Sequence, residues 1–150
     1  MSAEAPALVF EASAVALGRR GMLIEGRPGS GKSSLVLALI ERGGILIGDD
    51  AVSLVREDTS TGPRVICFPP PNIEGLLEVR GVGIVRLPVA PPCPVSLILT
   101  LGTGDCRLPD QAARREVLGA FIPALPFVPG EIAPAQRAAM ALDIHGLAHA

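Results

Sequence analysis

The chain has 150 residues and a formal net charge of −2; 49% of its residues are apolar and 19% are charged. This length and composition are typical of one globular domain with a buried core. Four Phe and no Trp or Tyr argue against base-stacking surfaces for single-stranded nucleic acid, and the slightly acidic charge argues against a duplex-binding surface.

The first third of the chain predicts two strands joined by a turn, then a helix, then a buried strand. In order, these are residues 7–17, 18–21, 22–25, 32–42 and 45–47. The helix is indicated by apolar residues at Leu35, Leu39 and Ile40, and the glycines at 43 and 44 predict its end. This order favours an α/β fold.

The remaining elements are predicted to be mostly strands. They are strands at 52–56 and 64–68 around a polar turn, a glycine-punctuated segment and strand within 78–87, a strand at 95–101, and helices at 110–118 and 133–142. Residues 121–129 contain three prolines and are interpreted as an irregular edge or loop. No repeat or linker divides the chain, so one domain over 1–150 is expected.

Cysteine usage and hydropathy indicate in which cellular compartment the protein is expected. Cys67, Cys93 and Cys106 form no CxxC pair, so we expect three reduced thiols and neither zinc nor a disulfide framework. The apolar run at 95–101 is far shorter than the roughly 18 residues that span a bilayer. The N-terminus has no basic region before an apolar one, so no signal peptide is expected. A cytoplasmic protein without membrane or nucleic-acid partners is predicted.

The strongest motif is the octet GRPGSGKS, a GxxxxGKS phosphate-binding loop between a predicted strand and helix. Glycines allow backbone N–H groups to point at phosphates, and the helix start adds its positive end. Lys32 would reach the β- and γ-phosphates, and the Ser33 hydroxyl would ligate Mg²⁺. The predicted nucleotide-binding residues are Gly26, Arg27, Pro28, Gly29, Ser30, Gly31, Lys32 and Ser33.

An acidic pair, Asp49 and Asp50, follows the apolar strand at 45–47. If this strand lies beside the strand that feeds the loop, both carboxylates approach the γ-phosphate. One would then hold Mg²⁺, and the other would accept a proton from a hydroxyl acceptor. The alternative is a solvated turn after a strand.

The segment EVRGVG places Glu78 and Arg80 on one face of an extended chain. The carboxylate would complete the Mg²⁺ shell, and the guanidinium would neutralise charge on a transferring phosphoryl group. A solvent-exposed ion pair is the alternative interpretation.

Together, GRPGSGKSS, LVLALI, ERGG, ILIGDD and EVRGVG resemble the catalytic domain of bacterial HPr kinase/phosphorylase, over about residues 8–130. The resemblance implies an α/β P-loop nucleotide-binding domain of the HPr kinase/PEP carboxykinase-like type, with a mixed sheet and antiparallel hairpins. It also implies ATP- and Mg²⁺-dependent serine phosphorylation of the phosphotransferase carrier HPr, reversed in many members by inorganic phosphate. Members are commonly hexamers, and this chain is similar to the short, single-domain type of some proteobacteria.

Carried over by position, the resemblance implies a site built from several parts of the chain. Asp50 is expected to accept the proton with Asp49 beside it, and Ser33, Glu78 and Asp49 are the expected metal ligands. The residues expected to take part in catalysis are Asp50, Asp49, Lys32, Arg80, Arg107 and Glu11. His145 and His149 are expected to be solvated.

Two acidic residues depart from the family pattern. Glu11 stands where the family has a histidine, and Glu131 stands where the family's P-G-R-N loop has an arginine. Both changes bear on phosphorolysis and HPr recognition. A nucleotide-binding regulatory module with weakened catalysis, and a P-loop kinase with a different acceptor, are therefore the alternatives to a working HPr kinase.

Overall fold

The computed structural model describes residues 7–71, 73–102 and 112–149. The elements in chain order are β1 (Leu8–Phe10), β2 (Ser13–Leu17), β3 (Arg20–Glu25), α1 (Lys32–Glu41), β4 (Ile45–Gly48), β5 (Val52–Thr59), β6 (Gly62–Phe68), β7 (Leu76–Val79), β8 (Gly83–Arg86), β9 (Cys93–Leu101), β10 (Ala113–Val117), β11 (Ala120–Phe127) and α2 (Pro134–His145). Both described helices coincide closely with predicted ones.

Nine strands form one mixed sheet around β9. The order is β1-β5-β6-β9-β3-β2-β4, and the β10–β11 hairpin joins through β11. β9 is parallel to β3 and β11 and antiparallel to β6. β7 and β8 form a separate antiparallel hairpin. This confirms the expected α/β fold with a mixed sheet and antiparallel hairpins.

The central strands are buried on both faces, which explains their nearly continuous apolar sequences. On β3, Met22 and Ile24 pack with the two helices, while Leu23 between them packs in a second cluster with residues of β5, β6 and β11. The same alternation occurs on β9, where Leu97 and Leu99 face the helices. The sheet therefore holds its phosphate-loop strand between two cores.

The single strand predicted at 7–17 is in fact two strands. A bend at residues 11–12 separates β1, which pairs with β5, from β2, which pairs with β3 and β4. The imperfect alternation of apolar residues in this segment reflects that bend, because the two halves lie in different parts of the sheet.

The predictions for 110–118 and 121–129 are wrong within the described residues. Residues 113–117 form strand β10, and the supposed loop contains strand β11. Leu118 and Gly119 both have positive φ (52° and 86°), as a tight two-residue hairpin turn requires. The free energy gained by burying Ile122 and Leu125 outweighs the cost of the ladder hydrogen bonds that the prolines of β11 cannot donate.

Candidate active site

The two strands that carry the main motifs end at the same edge of the sheet. The acidic-pair argument took these strands as neighbours, but β2 lies between β3 and β4. β2 is antiparallel to both strands, so β3 and β4 run in the same direction. The phosphate loop after β3 and the acidic pair after β4 therefore emerge side by side.

The loop between β3 and α1 has the backbone that anion binding requires. Gly29 and Gly31 adopt φ of +85° and +102°, a region that side chains rarely allow. A Cβ on Gly26 would lie 2.5 Å from the Ser30 hydroxyl, so a larger residue there would force the Ser30 side chain to move. The Lys32 ammonium donates to the Gly26 carbonyl at 2.7 Å, which folds the side chain over the loop.

The first turn of α1 has no side-chain cap and no acidic residue. The first backbone N–H groups of a helix have no partner within it, and here no capping side chain accepts from them. They carry the positive end of the helix dipole. An anion bound at this point would receive hydrogen bonds from the main chain, as in other helix N-terminal phosphate sites.

Ser13 bonds to both residues of the acidic pair. Its buried hydroxyl donates to Asp49 Oδ1 at 3.1 Å and accepts from the Asp50 backbone N–H at 3.2 Å. Asp49 Oδ1 also accepts from the Ser33 hydroxyl at 2.8 Å, which ties the acidic pair to the phosphate loop. Asp50 turns away with φ of +68° and is exposed. The two carboxylates thus have different environments.

The β7–β8 hairpin forms the opposite wall of the site. The backbone N–H of Glu78 donates to Asp49 Oδ2 at 3.3 Å, which fixes the hairpin beside the acidic pair. Hairpin and loop enclose a cavity of about 690 Å³. Its charged lining residues are Lys32, Asp50, Glu78 and Arg80.

These groups fit a magnesium nucleotide. The cavity volume falls in the usual range for small-molecule sites, and the loop offers backbone donors at one end. Ser33, Asp49 and Glu78 supply hard oxygen donors of the kind Mg²⁺ prefers. No group of three or more acidic, histidine or cysteine residues lies in metal-binding geometry among the described residues. Mg²⁺ here would need phosphate oxygens as further ligands, as it usually does.

Other predicted site residues fall outside this constellation. Glu11 is exposed at the bend after β1 and does not line the cavity. Arg27 is exposed on the loop, and its carbonyl accepts from Lys32 at 3.3 Å. Arg107 lies outside the described residues. Ser13 was not among the predicted site residues; a small polar residue at the start of the apolar segment 14–17 was a weak local signal for it.

The loop containing Glu131 is held by α2. The Arg137 guanidinium donates to the carbonyls of Val128, Pro129 and Ile132, and it lies 5.1 Å from the centre of the Phe127 ring. Glu131 itself is exposed. The Pro129 ring lies 4.0 Å from where a Cβ on Gly31 would be, so this loop borders the phosphate loop.

None of the described histidines and cysteines lines the cavity. His149 was expected to be solvated, but it is partly buried and lies 3.3 Å from the Val95 carbonyl. Burial lowers its pKa, although the hydrogen bond to Val95 opposes that change. Cys67 and Cys93 are buried free thiols, while Cys106 lies outside the described residues. Burial raises the pKa of Cys93 to about 11 and that of Cys67 further.

The sequence pattern of a known family, described as "HPr Serine kinase C-terminal domain", matches residues 5–89. The chain belongs to this family. The matched region runs from β1 past the β7–β8 hairpin and so contains the phosphate loop, the acidic pair and Glu78.

Two relatives named HPr kinase/phosphorylase agree with this family assignment. It is 39% identical over 92 residues to the HPr kinase/phosphorylase of Geobacillus thermodenitrificans, covering 57% of this chain and 29% of the relative. It is 43% identical over 67 residues to that of Bacillus subtilis, covering 45% and 21%. The chain thus spans less than a third of the length of these curated relatives.

A solved structure shows the same fold. The HPr(Ser) kinase/phosphatase from Coxiella burnetii aligns with a TM-score of 0.73 and 24% identity, over 91% of this chain and 89% of that one. Among the described residues of the chain, none of the helices has the length and apolar character to cross a lipid bilayer.

Proposed function

We propose that this chain is an ATP- and Mg²⁺-dependent serine kinase whose acceptor is an HPr-like phosphocarrier protein. The observation that carries the proposal is that the two carboxylates of the acidic pair have different environments. Asp49 is bonded to Ser33 of the phosphate loop, whereas Asp50 is exposed and lines the same cavity as Lys32. The first arrangement suits a metal-side carboxylate, and the second suits a proton acceptor.

In this mechanism the phosphate loop binds and orients the nucleotide. Backbone N–H groups at the start of α1 and the Lys32 ammonium hold the phosphates. Ser33, with Asp49 and Glu78 beside it, would hold Mg²⁺, which supplies charge neutralisation on the phosphate oxygens. Arg80 at the hairpin turn brings a further positive charge to the cavity for the transferring phosphoryl group.

Asp50 completes the transfer. As the acceptor serine oxygen forms its bond to the γ-phosphorus, the bond from that phosphorus to the leaving oxygen of ADP breaks. The serine proton passes to the Asp50 carboxylate. A positioned general base of this kind typically contributes about 10²–10⁴-fold to the rate.

The proposal extends to the biological setting. It includes reverse phosphorolysis by inorganic phosphate, a homo-oligomer such as the family hexamer, a single P-loop kinase domain over residues 1–150, and a cytoplasmic location. Glu11 and Glu131 replace a histidine and an arginine of the family pattern. Both carboxylates lie outside the cavity lining, so they act on the site only by longer-range repulsion. Since phosphorolysis brings an additional anion to the site, this repulsion should weaken the reverse reaction more than the forward one.

Labelled ATP provides the test. Purified chain, Mg²⁺ and HPr from the same organism should give acid-stable label on HPr, as phosphoserine does. Lys32→Ala should abolish the label, and Asp50→Asn should slow its appearance about 10²–10⁴-fold. Asp58→Asn is the matched control, because this exposed carboxylate pairs with Arg56 on the β5–β6 hairpin, outside the cavity lining. Glu11→His should raise phosphorolysis.

The alternatives predict different results. Absence of label on HPr with nucleotide still bound would contradict the kinase proposal in favour of a regulatory nucleotide sensor. Label on another protein or on a small molecule would keep the kinase chemistry and replace the acceptor.

A further inference from the structure

An ion pair lies directly before the phosphate loop. Glu25 is the last residue of β3, and its side chain is 16% exposed. Both of its carboxylate oxygens are bound by the Arg115 guanidinium of β10, one of them at 2.7 Å through Nη2. The hydroxyl of Thr100 on β9 donates to the same carboxylate at 3.0 Å. Three strands thus converge on this one side chain.

A carboxylate at this position opposes the function of the neighbouring loop. Gly26, the next residue, begins a segment whose donors suit a polyanion, and like charges in a partly buried region repel. Burial raises the pKa of Glu25, but the hydrogen bonds from Arg115 and Thr100 and the charge of Arg115 outweigh it, so the pKa is lowered. Glu25 is therefore ionised at neutral pH and carries a full negative charge.

We propose that Arg115 is a charge-compensating residue of the nucleotide site, which keeps the phosphate loop able to bind polyanions by neutralising Glu25. Arg115 lies on the β10–β11 hairpin, beyond the region that carries the family motifs and away from the cavity lining. The inference rests on the nucleotide-binding part of the proposed function. It does not depend on the identity of the phosphoryl acceptor.

The test is a double-mutant cycle on nucleotide affinity. Dissociation constants for ATP, ADP and AMP are measured by calorimetry for the wild type, Arg115→Met, Glu25→Gln and the double variant. Arg115→Met should weaken ATP binding about tenfold at low salt, because an uncompensated carboxylate then adjoins the loop. The loss should shrink from ATP to ADP to AMP, and it should shrink as salt is raised.

The remaining members of the cycle separate charge from structure. Glu25→Gln should leave ATP binding unchanged or tighter, and Glu25→Gln with Arg115→Met should restore it to within about twofold of the wild type. Arg115→Lys keeps the charge but not the two-pronged geometry, so it should retain most of the affinity. Arg114→Met is the matched control: the neighbouring guanidinium is exposed and lies over the Phe121 ring at 5.2 Å.

Each outcome has one meaning. If Glu25→Gln weakens ATP binding as much as Arg115→Met, and the double variant is not restored, the pair merely ties strands together and the inference is overturned. If the wild type binds ATP and Arg115→Met binds it with the same affinity, the inference is overturned and the proposed function is not. A wild type that binds no nucleotide overturns the proposed function and the inference with it. Thermal unfolding of each variant shows whether it is folded. If Arg115→Met does not fold, the double variant and Arg115→Lys test the inference in its place.

Discussion

Ser13→Ala is expected to destabilise the fold far more than the same change at another buried serine. The Ser13 hydroxyl makes one bond to an ionised group, worth about 1.5–3 kcal/mol, and its loss leaves the Asp50 N–H without its acceptor. Because these bonds are only partly buried, we take the low end for each: about 1.5 kcal/mol for the bond to Asp49 and about 1 kcal/mol for the unsatisfied N–H, a total of about 2.5 kcal/mol. Ser96 is equally buried, yet its hydroxyl has no hydrogen-bond partner among the described residues.

Ser96→Ala therefore removes a polar group whose burial is uncompensated, and it should leave stability unchanged or raise it by about 1 kcal/mol. Urea unfolding followed by circular dichroism measures both variants, with equal m-values confirming a comparable unfolded state. Equal unfolding free energies for the two variants would refute the argument, because the serines would then contribute only their similar volumes. A destabilised Ser96→Ala would refute it as well.

Three further expectations concern other parts of the molecule. Cys93, with a pKa of about 11, and the more deeply buried Cys67 should resist iodoacetamide at pH 8 in the folded protein and react on unfolding; fast labelling of the native chain would contradict this. Arg137→Met should release the loop at residues 128–132, seen as faster proteolysis there, and unchanged cleavage would mean that the loop is held by other contacts. The lowered pKa of Glu25 stabilises the fold above its unfolded-state value near 4.5, so the wild type should lose stability more steeply than Glu25→Gln as pH falls from 6 to 3; parallel pH profiles would argue otherwise.

The parts of the site that sequence analysis predicted are those encoded locally. A phosphate loop needs glycines at fixed spacing, a strand before it and a helix after it, and all three lie within residues 20–41. The acidic pair likewise follows its own strand directly. Their proximity was expected for the wrong reason, since β2 separates the two strands. It was still predicted correctly, because parallel strands end at one edge whether or not they are adjacent.

Contacts between distant segments were not predicted. The pairing of Glu25 with Arg115 spans 90 positions, and that of Ser13 with Asp49 spans 36. Neither residue type nor spacing indicates such a pair, because an isolated Ser or Arg is usually a surface group. The β10–β11 hairpin was misread for a similar reason: its prolines argue against a strand locally, and only burial against β9 favours one.

β9 lies in the centre of the sheet but follows the matched region 5–89 in the chain, so the segment that carries the motifs lacks a strand that the sheet needs. Residues 5–89 contain the phosphate loop, the acidic pair and Glu78, yet in that stretch β3 has only β2 as a partner and β6 only β5, because β9 is inserted between them. During synthesis, the strand that feeds the phosphate loop would remain an open edge until residue 101 has left the ribosome. A fragment cut at the end of the motifs would expose two apolar edges and should aggregate. Transplanting the phosphate loop and the acidic pair into another protein therefore requires β9, although β9 carries none of the motif residues.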